Sequence, residues 1–160
     1  MPEVIVNTSP LQYLFQLSLL ELFPSLYGYV IVPEAVVLEL YRGRERGCLL
    51  PNVEKLAWVT VKQPRHPVLL PLASGLGAGE SAVLALAHEI PEALAVLDDK
   101  RARRYARLLG VRLTGTLGIL LKAKHAGKLA ALYPVMEQLE KLGFRFHCDT
   151  RNAILKLAGE

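Results

Sequence analysis

Short β-branched runs alternate with alanine- and leucine-rich amphipathic stretches along most of the chain. Val4 to Val6 is such a run and ends at Asn7; Ser9 then Pro10 supply a helix cap and a first-turn residue, so the chain opens strand, turn, helix. A second helical piece is expected from Ser18 to about Leu26 and a strand over Tyr29 to Val32. A helix should then start at Pro33, run through Tyr41 and stop near Gly43. Residues 44 to 55 predict a loop and Leu56 to Val61 a strand, while Pro64, Pro67 and Pro71 make Gln63 to Ser74 irregular. After the GLGAGE segment at 75 to 80, a helix is predicted through Glu89. The strand Leu94 to Leu97 follows and ends in Asp98 and Asp99. A helix over 100 to 109 ends at Gly110, and the strand Val111 to Leu113 leads through Thr114, Gly115 and Thr116 into a helix over 117 to 126. Two amphipathic helices close the chain.

Strands alternating with helices predict an α/β fold: a three-layer sandwich whose mostly parallel central sheet is covered by helices on both faces. Such sheets bind ligands beyond the carboxyl ends of their strands, where Asn7, Asp98, Asp99 and Thr114 fall. A length of 160 residues fits a single domain over 1–160. With 52% hydrophobic and 21% charged residues, the chain is too apolar to be disordered, and its surplus of apolar side chains predicts a partner or a second copy. The longest apolar stretch, Leu11 to Leu26, is broken by Gln16, Ser18, Glu21 and Pro24, and Met1 to Glu3 lacks the basic start of a signal peptide, so no membrane association is expected. Cys48 and Cys148 have no CxxC neighbour; they are too few for a disulfide scaffold and wrongly spaced for structural zinc, which fits a reducing cytoplasm.

Several common chemistries lack their residues. The glycines at 75, 77 and 79 miss the GxGxxG spacing and do not follow the first strand, and GxxxxGK[ST], HExxH and GxSxG are absent. His66, His88, His125 and His147 are scattered and read as structural or surface residues. What remains is a set of carboxylates, Glu39, Glu80, Asp98 and Asp99, with Asn7 and Ser9 after the first strand. Hard Mg²⁺ or Mn²⁺ ions take oxygen ligands, and carboxylates converging at strand ends can supply them while leaving room for water and phosphate, the requirement of a phosphodiesterase.

Each of these residues also has a plainer role open to it. Glu39 lies among apolar neighbours and needs a metal or a partner, unless it is solvated and paired with Arg42. Glu80 falls in a first helical turn, where capping alone accounts for a carboxylate. One of Asp98 and Asp99 can cap the following helix, but two adjacent acids repel until a cation relieves them. Ser9 can be an N-cap, and Asn7 can bond the turn backbone.

Charge brings in one further feature. Lys and Arg number 19 against 15 Asp and Glu, a net charge of +4 that permits a polyanionic partner. Five of the basic residues fall between 100 and 107 with no acid among them, and Lys100, Arg103, Arg104 and Arg107 share one helical face suited to RNA phosphates. Arg42, Arg44, Arg46, Lys122, Lys124 and Lys128 are candidates to extend that surface.

The segments IVNTSPLQYL, VIVPEAVVLEL, GLGAGESAVLALA, AVLDDKRARRYARLLG and TGTLGILLKAK, in this order over most of the chain, resemble the PIN-domain superfamily, in particular the PIN-like branch related to VapC-type toxin ribonucleases. The resemblance implies divalent-metal-dependent RNA cleavage, frequent homodimers, and in toxins a cognate antitoxin protein that blocks the site. It places the family's first acid at Asn7, the second at Glu39, the third at Glu80, and the acid closing the fourth strand at Asp99 or Asp98. Asp99 is favoured because that acid usually follows the strand by one residue. The implied catalytic set is Asn7, Glu39, Glu80 and Asp99, and the implied ligands of Mg²⁺ or Mn²⁺ are Glu39, Glu80, Asp98 and Asp99. Ser9 and Thr116 match positions of small hydroxyls near the metal. Asn7 departs from the pattern: an amide offers a metal its carbonyl oxygen but no charge, so affinity for Mg²⁺ should fall.

Three functions follow as expectations. The first is a metal-dependent endoribonuclease, the toxin of a type II toxin-antitoxin pair. The second is a catalytically weakened PIN-like domain that binds RNA or a partner protein without cleavage. The third is a nucleotide-binding protein that uses the GLGAGE loop for phosphate.

Overall fold

The computed structural model describes residues 2–66 and 75–160. Five strands, β1 (Val4–Val6), β2 (Val30–Pro33), β3 (Val59–Lys62), β4 (Leu94–Val96) and β5 (Arg112–Thr114), form one all-parallel sheet in the order β3-β2-β1-β4-β5. The described helices are α1 (Thr8–Gln16), α2 (Leu22–Tyr27), α3 (Glu34–Glu45), α4 (Ala78–Glu89), α5 (Lys100–Leu108), α6 (Thr116–His125), α7 (Tyr133–Lys141) and α8 (Cys148–Leu157). The predicted α/β sandwich is the observed fold.

Every residue of β1 and β2 is buried, which requires cover on both faces of the sheet. Their valines and isoleucines suit that position, because β-branched side chains are stiff and pack well on a pleated surface. The central strand sets the register, with Ile5 opposite Ile31 of β2 and Ala95 of β4. β3 is an edge, with Thr60, Val61 and Lys62 exposed, and a lysine there discourages pairing with another chain. One core runs from Leu11, Leu14 and Phe23 through the strands to Ile119, Leu132 and Met136.

Several boundaries differ from the expectation. α1 starts at Thr8 with Asn7 as its cap residue, so Ser9 lies inside the helix and is not the cap. Pro10 fits there because the first N–H groups of a helix need no internal partner. α2 begins at Leu22, and Ser18, at φ 60°, turns the chain before it. α3 runs past Gly43 because that glycine is a place of close approach: a Cβ on it would lie 2.2 Å from Leu50 Cδ1. Gly47, at φ +86°, lies just beyond the end of that helix, where a left-handed residue is needed. β3 begins at Val59 because Val53–Lys55 forms a 3₁₀ turn first. Of the irregular segment expected over Gln63 to Ser74, residues 67–74 lie outside the described residues.

The strand order reverses at β1, which has β2 on one side and β4 on the other. In a parallel sheet the crevice above such a reversal is where ligands bind. Asn7 leaves β1 there, and Leu97 and Asp98 leave β4. The backbone holds these exits together: Asn7 N donates to Val96 O at 3.2 Å, and Leu97 N donates to Thr114 O at 2.9 Å.

Candidate active site

Asp98 is the most firmly held carboxylate at the crevice. Its Oδ1 accepts from Thr116 N at 2.8 Å, and its Oδ2 accepts from Thr116 Oγ1 at 2.7 Å and from Ser9 Oγ at 3.1 Å. Thr116 is fully buried at the start of α6, where free backbone amides favour an anion. Gly115 keeps the approach open, since a Cβ on it would lie 2.8 Å from Asp98 Oδ1 and 3.2 Å from the backbone oxygen of Leu97. The predicted hydroxyls Ser9 and Thr116 therefore both meet a carboxylate, and it is Asp98.

Asp99 has a different task. It is the cap residue of α5, and its Oδ2 accepts from Ala102 N at 3.0 Å. Of the two adjacent acids, Asp99 caps the helix and Asp98 is held at the crevice. With the chain entering α5 at Asp99, the side chain one residue earlier faces α1 and α6.

The second half of the site joins β1, α3 and α4. Glu39 Oε1 accepts from Thr8 Oγ1 at 3.2 Å, and the carboxylate also takes a hydrogen bond from the Gly79 backbone. A Cβ on Gly79 would lie 1.9 Å from Glu39 Oε1 and 3.1 Å from Asn7 Oδ1, so both oxygens crowd the buried turn where α4 begins. Burial pushes the Glu39 carboxyl above its ordinary value of 4.5, and the nearby Glu80 charge pushes the same way against the bonds from Thr8 and Gly79. The alternative pairing with Arg42 does not form an ion pair; its charge is the weakest of the influences on Glu39. Glu80 does cap, with Oε2 accepting from Gly77 N at 2.9 Å, and it also lies close enough to Glu39 to repel its charge.

Asn7 is 4% exposed, and among the described residues its Oδ1 has no hydrogen-bond partner. A buried carbonyl without a partner costs about 1–3 kcal/mol and calls for an explanation.

The basic face of α5 is only partly free. Lys100, Arg104 and Arg107 are exposed, but Arg103 is half-buried and its guanidinium donates to Leu97 O at 2.9 Å. Burial lowers the Arg103 pKa, the neighbouring Arg107 adds to that, and Asp98 opposes it. Other cations expected to extend the surface are engaged elsewhere: Arg44 donates to Pro51 O at 2.7 Å, Lys124 donates to Ala130 O at 2.8 Å, and Lys122 Nζ sits 4.3 Å from the Tyr27 ring centroid. Cys48 and Cys148 are both exposed and unbonded to each other.

Residues of the crevice that the sequence had not singled out are Thr8, Tyr13, Gly79 and the segment after α7. A cavity of about 660 Å³ opens beside Asp98, walled by α5, β5, α6 and residues 144–154. Tyr13 packs edge-on against Phe144 at 5.0 Å, and its hydroxyl pKa is raised by burial and then by the Asp98 charge. The run Phe144, Arg145, Phe146, His147 carried a findable signal, aromatics interleaved with basic residues.

The donors of the crevice are an amide oxygen and three carboxylates, the oxygen set a hard divalent cation requires, and the partnerless Asn7 Oδ1 fits a ligand there. They stand in two groups: among the described residues, no three His, Cys, Asp or Glu side chains come together as one metal-holding cluster. No described helix is long and apolar enough to cross a membrane. A family model described as a PIN domain matches residues 3–160, and PIN domains are in general nucleases that use divalent metals. No curated protein matches the chain.

Proposed function

The chain belongs to the PIN-domain family, and from that premise we propose that it is a divalent-metal-dependent endoribonuclease acting as the toxin of a type II toxin-antitoxin pair. The observation that carries the proposal is the buried, partnerless Asn7 Oδ1 beside Glu39, in the same crevice as a rigidly held Asp98. Asn7, Glu39, Glu80 and Asp98 would hold Mg²⁺ or Mn²⁺, with Asp99 outside the set as a cap. When bound, such an ion supplies positive charge against the phosphodiester and acidity to an attacking water.

The residues of the chain divide the remaining work. Thr116 and Ser9 fix both Asp98 oxygens, so this carboxylate keeps its orientation while substrate charge changes nearby. Glu39, whose ionisation burial resists, would be kept ionised by the ion it helps to hold, and solvent takes the proton that water releases as its oxygen bonds to phosphorus. The scissile P–O bond breaks in line with that attack, and the departing oxygen takes up a proton from solvent water. Lys100, Arg104 and Arg107 attract RNA to the crevice through its phosphates without reading sequence. The protein works as one domain over residues 1–160 in the cytoplasm, blocked there by a cognate antitoxin protein. The exposed Leu38 and Tyr41 of α3 favour a homodimer.

The test is cleavage of single-stranded RNA in Mg²⁺ or Mn²⁺, reversed by chelator and lost in Asp98→Asn. One observation favours a second function: Asn7 stands where the family has an acid, which fits a weakened domain that binds RNA or a partner protein without cutting. Binding without cleavage, in the wild type and in Asn7→Asp alike, would decide for it.

A further inference from the structure

The cavity beside Asp98 has a lining that phosphodiester cleavage does not need. Phe144 and Phe146 stand with ring centroids 5.8 Å apart, and Tyr13 braces Phe144 from α1. Lys100, Arg103 and Arg145 add positive charge to the same wall, and Asp98 is the one acid among the lining residues. At about 660 Å³ the space lies within the range of small-ligand sites, about 300–1,000 Å³.

Flat aromatic surface together with cations suits a nucleotide, because every base has a π face to stack and every phosphate a charge to neutralise. We propose that this cavity is a nucleotide subsite, in which one base of single-stranded RNA stacks on Phe146 while Arg145 and Lys100 hold the flanking phosphates. The proposal rests on the nuclease function, and it extends it by giving the substrate a defined seat next to the reacting centre. RNA is preferred over an acidic peptide as occupant for a reason of position. Asp98 lines both the cavity and the crevice, so a chain lying in the cavity brings its own backbone close to the carboxylates.

The experiment is fluorescence anisotropy with a short labelled single-stranded RNA and a set of the same strand, each with one abasic position. Wild type should bind the intact strand better than one of the abasic set. Phe146→Ala should weaken the intact strand about five- to a hundredfold and erase that difference. Phe146→Leu, which keeps bulk without a π face, should behave like the alanine variant, and Phe146→Trp should restore both affinity and discrimination. Arg145→Ala should weaken all strands alike and flatten the salt dependence. Phe146→Leu with wild-type affinity and discrimination overturns the proposal, and wild-type RNA cleavage measured alongside then leaves the nuclease function standing. Base-dependent binding lost in Phe146→Leu, with no cleavage by the wild type, keeps the subsite and removes the nuclease. Indifference of the wild type to every abasic position, with displacement of RNA by an acidic peptide, assigns the cavity to a protein partner and also overturns the proposal.

Discussion

The two halves of the crevice differ in how completely they satisfy themselves. On the β4 side, Asp98 accepts three hydrogen bonds from two residues, and one of these residues is fully buried. On the β1 side, Asn7 Oδ1 has no partner among the described residues, and Glu39 sits where burial and a second carboxylate resist its ionisation. The first half is preorganised by the protein alone. The second carries a deficit of positive charge and of donors, so it is the half whose properties should respond to a cation.

Six perturbations separate the halves, beginning with the largest effect. Asp98→Asn should lower RNA cleavage by about a hundredfold or more, measured as kcat/KM. Asp98→Ala should also destabilise the fold by about 1–3 kcal/mol in denaturant titrations, because it leaves the buried Thr116 amide and hydroxyl without an acceptor.

Glu39→Gln should abolish most cleavage and yet raise Tm near neutral pH. The folded state holds the Glu39 proton above the ordinary value of 4.5, so this group contributes its stability below 4.5 and loses it as pH rises through the raised value. Glutamine escapes that loss, and thermal melts should show its advantage shrinking as pH falls towards 4.5. An equal advantage at every pH would mean that Glu39 does not titrate as described.

Asn7→Asp should act on the β1 half in both directions. Without divalent ions the added carboxylate repels Glu39 and Glu80 and lowers Tm; with Mg²⁺ it should tighten the ion and raise cleavage by about tenfold, a difference of ~1.4 kcal/mol. Slower cleavage in both metals would assign the amide another role, such as orienting water.

Gly79→Ala tests geometry more gently. Its methyl would meet Glu39 Oε1 at 1.9 Å and force that carboxylate aside, so cleavage should fall about tenfold. Stability should change by less than about 1 kcal/mol, since alanine is the better helix former. The smallest effect belongs to Arg104→Ala with Arg107→Ala. It should leave metal-dependent melting untouched and reduce the salt slope of RNA binding by about 0.7 for each phosphate contact removed.

The sheet was legible in the sequence because β1, β2 and β4 are short apolar runs bounded by polar turns, a pattern that fixes element type. The nearness of Glu39 to Glu80 was legible too, since the ends of parallel strands face one way and the helices that follow them start there. Which of Asp98 and Asp99 caps α5 was not, because it depends on which residue the chain uses to enter that helix, a single backbone turn that composition does not record. Ser9 was misplaced as a cap for a related reason: Pro10 is tolerated at several first-turn positions, so it locates a helix start only to within a residue or two. Arg103 looked like its neighbours in the charge run, and only packing against the end of β4 turns it inward. The aromatic wall at 144 and 146 escaped because it reaches Tyr13 from far along the chain, and periodicity carries no information about distant partners.

The position of β1 in the middle of the sheet also governs biosynthesis. Residues 4–6 leave the ribosome before the other strands, yet one edge of β1 waits for residues 94–96, and the bonds that orient Asp98 require Ser9 and Thr116 together. Pairings this distant in sequence make folding slow relative to helical proteins and confine assembly to a late, cooperative event. A chain synthesised only through α4 therefore carries Asn7, Glu39 and Glu80 but lacks Asp98 and Thr116. The hydrogen bonds that orient Asp98 can form only after translation has passed residue 116.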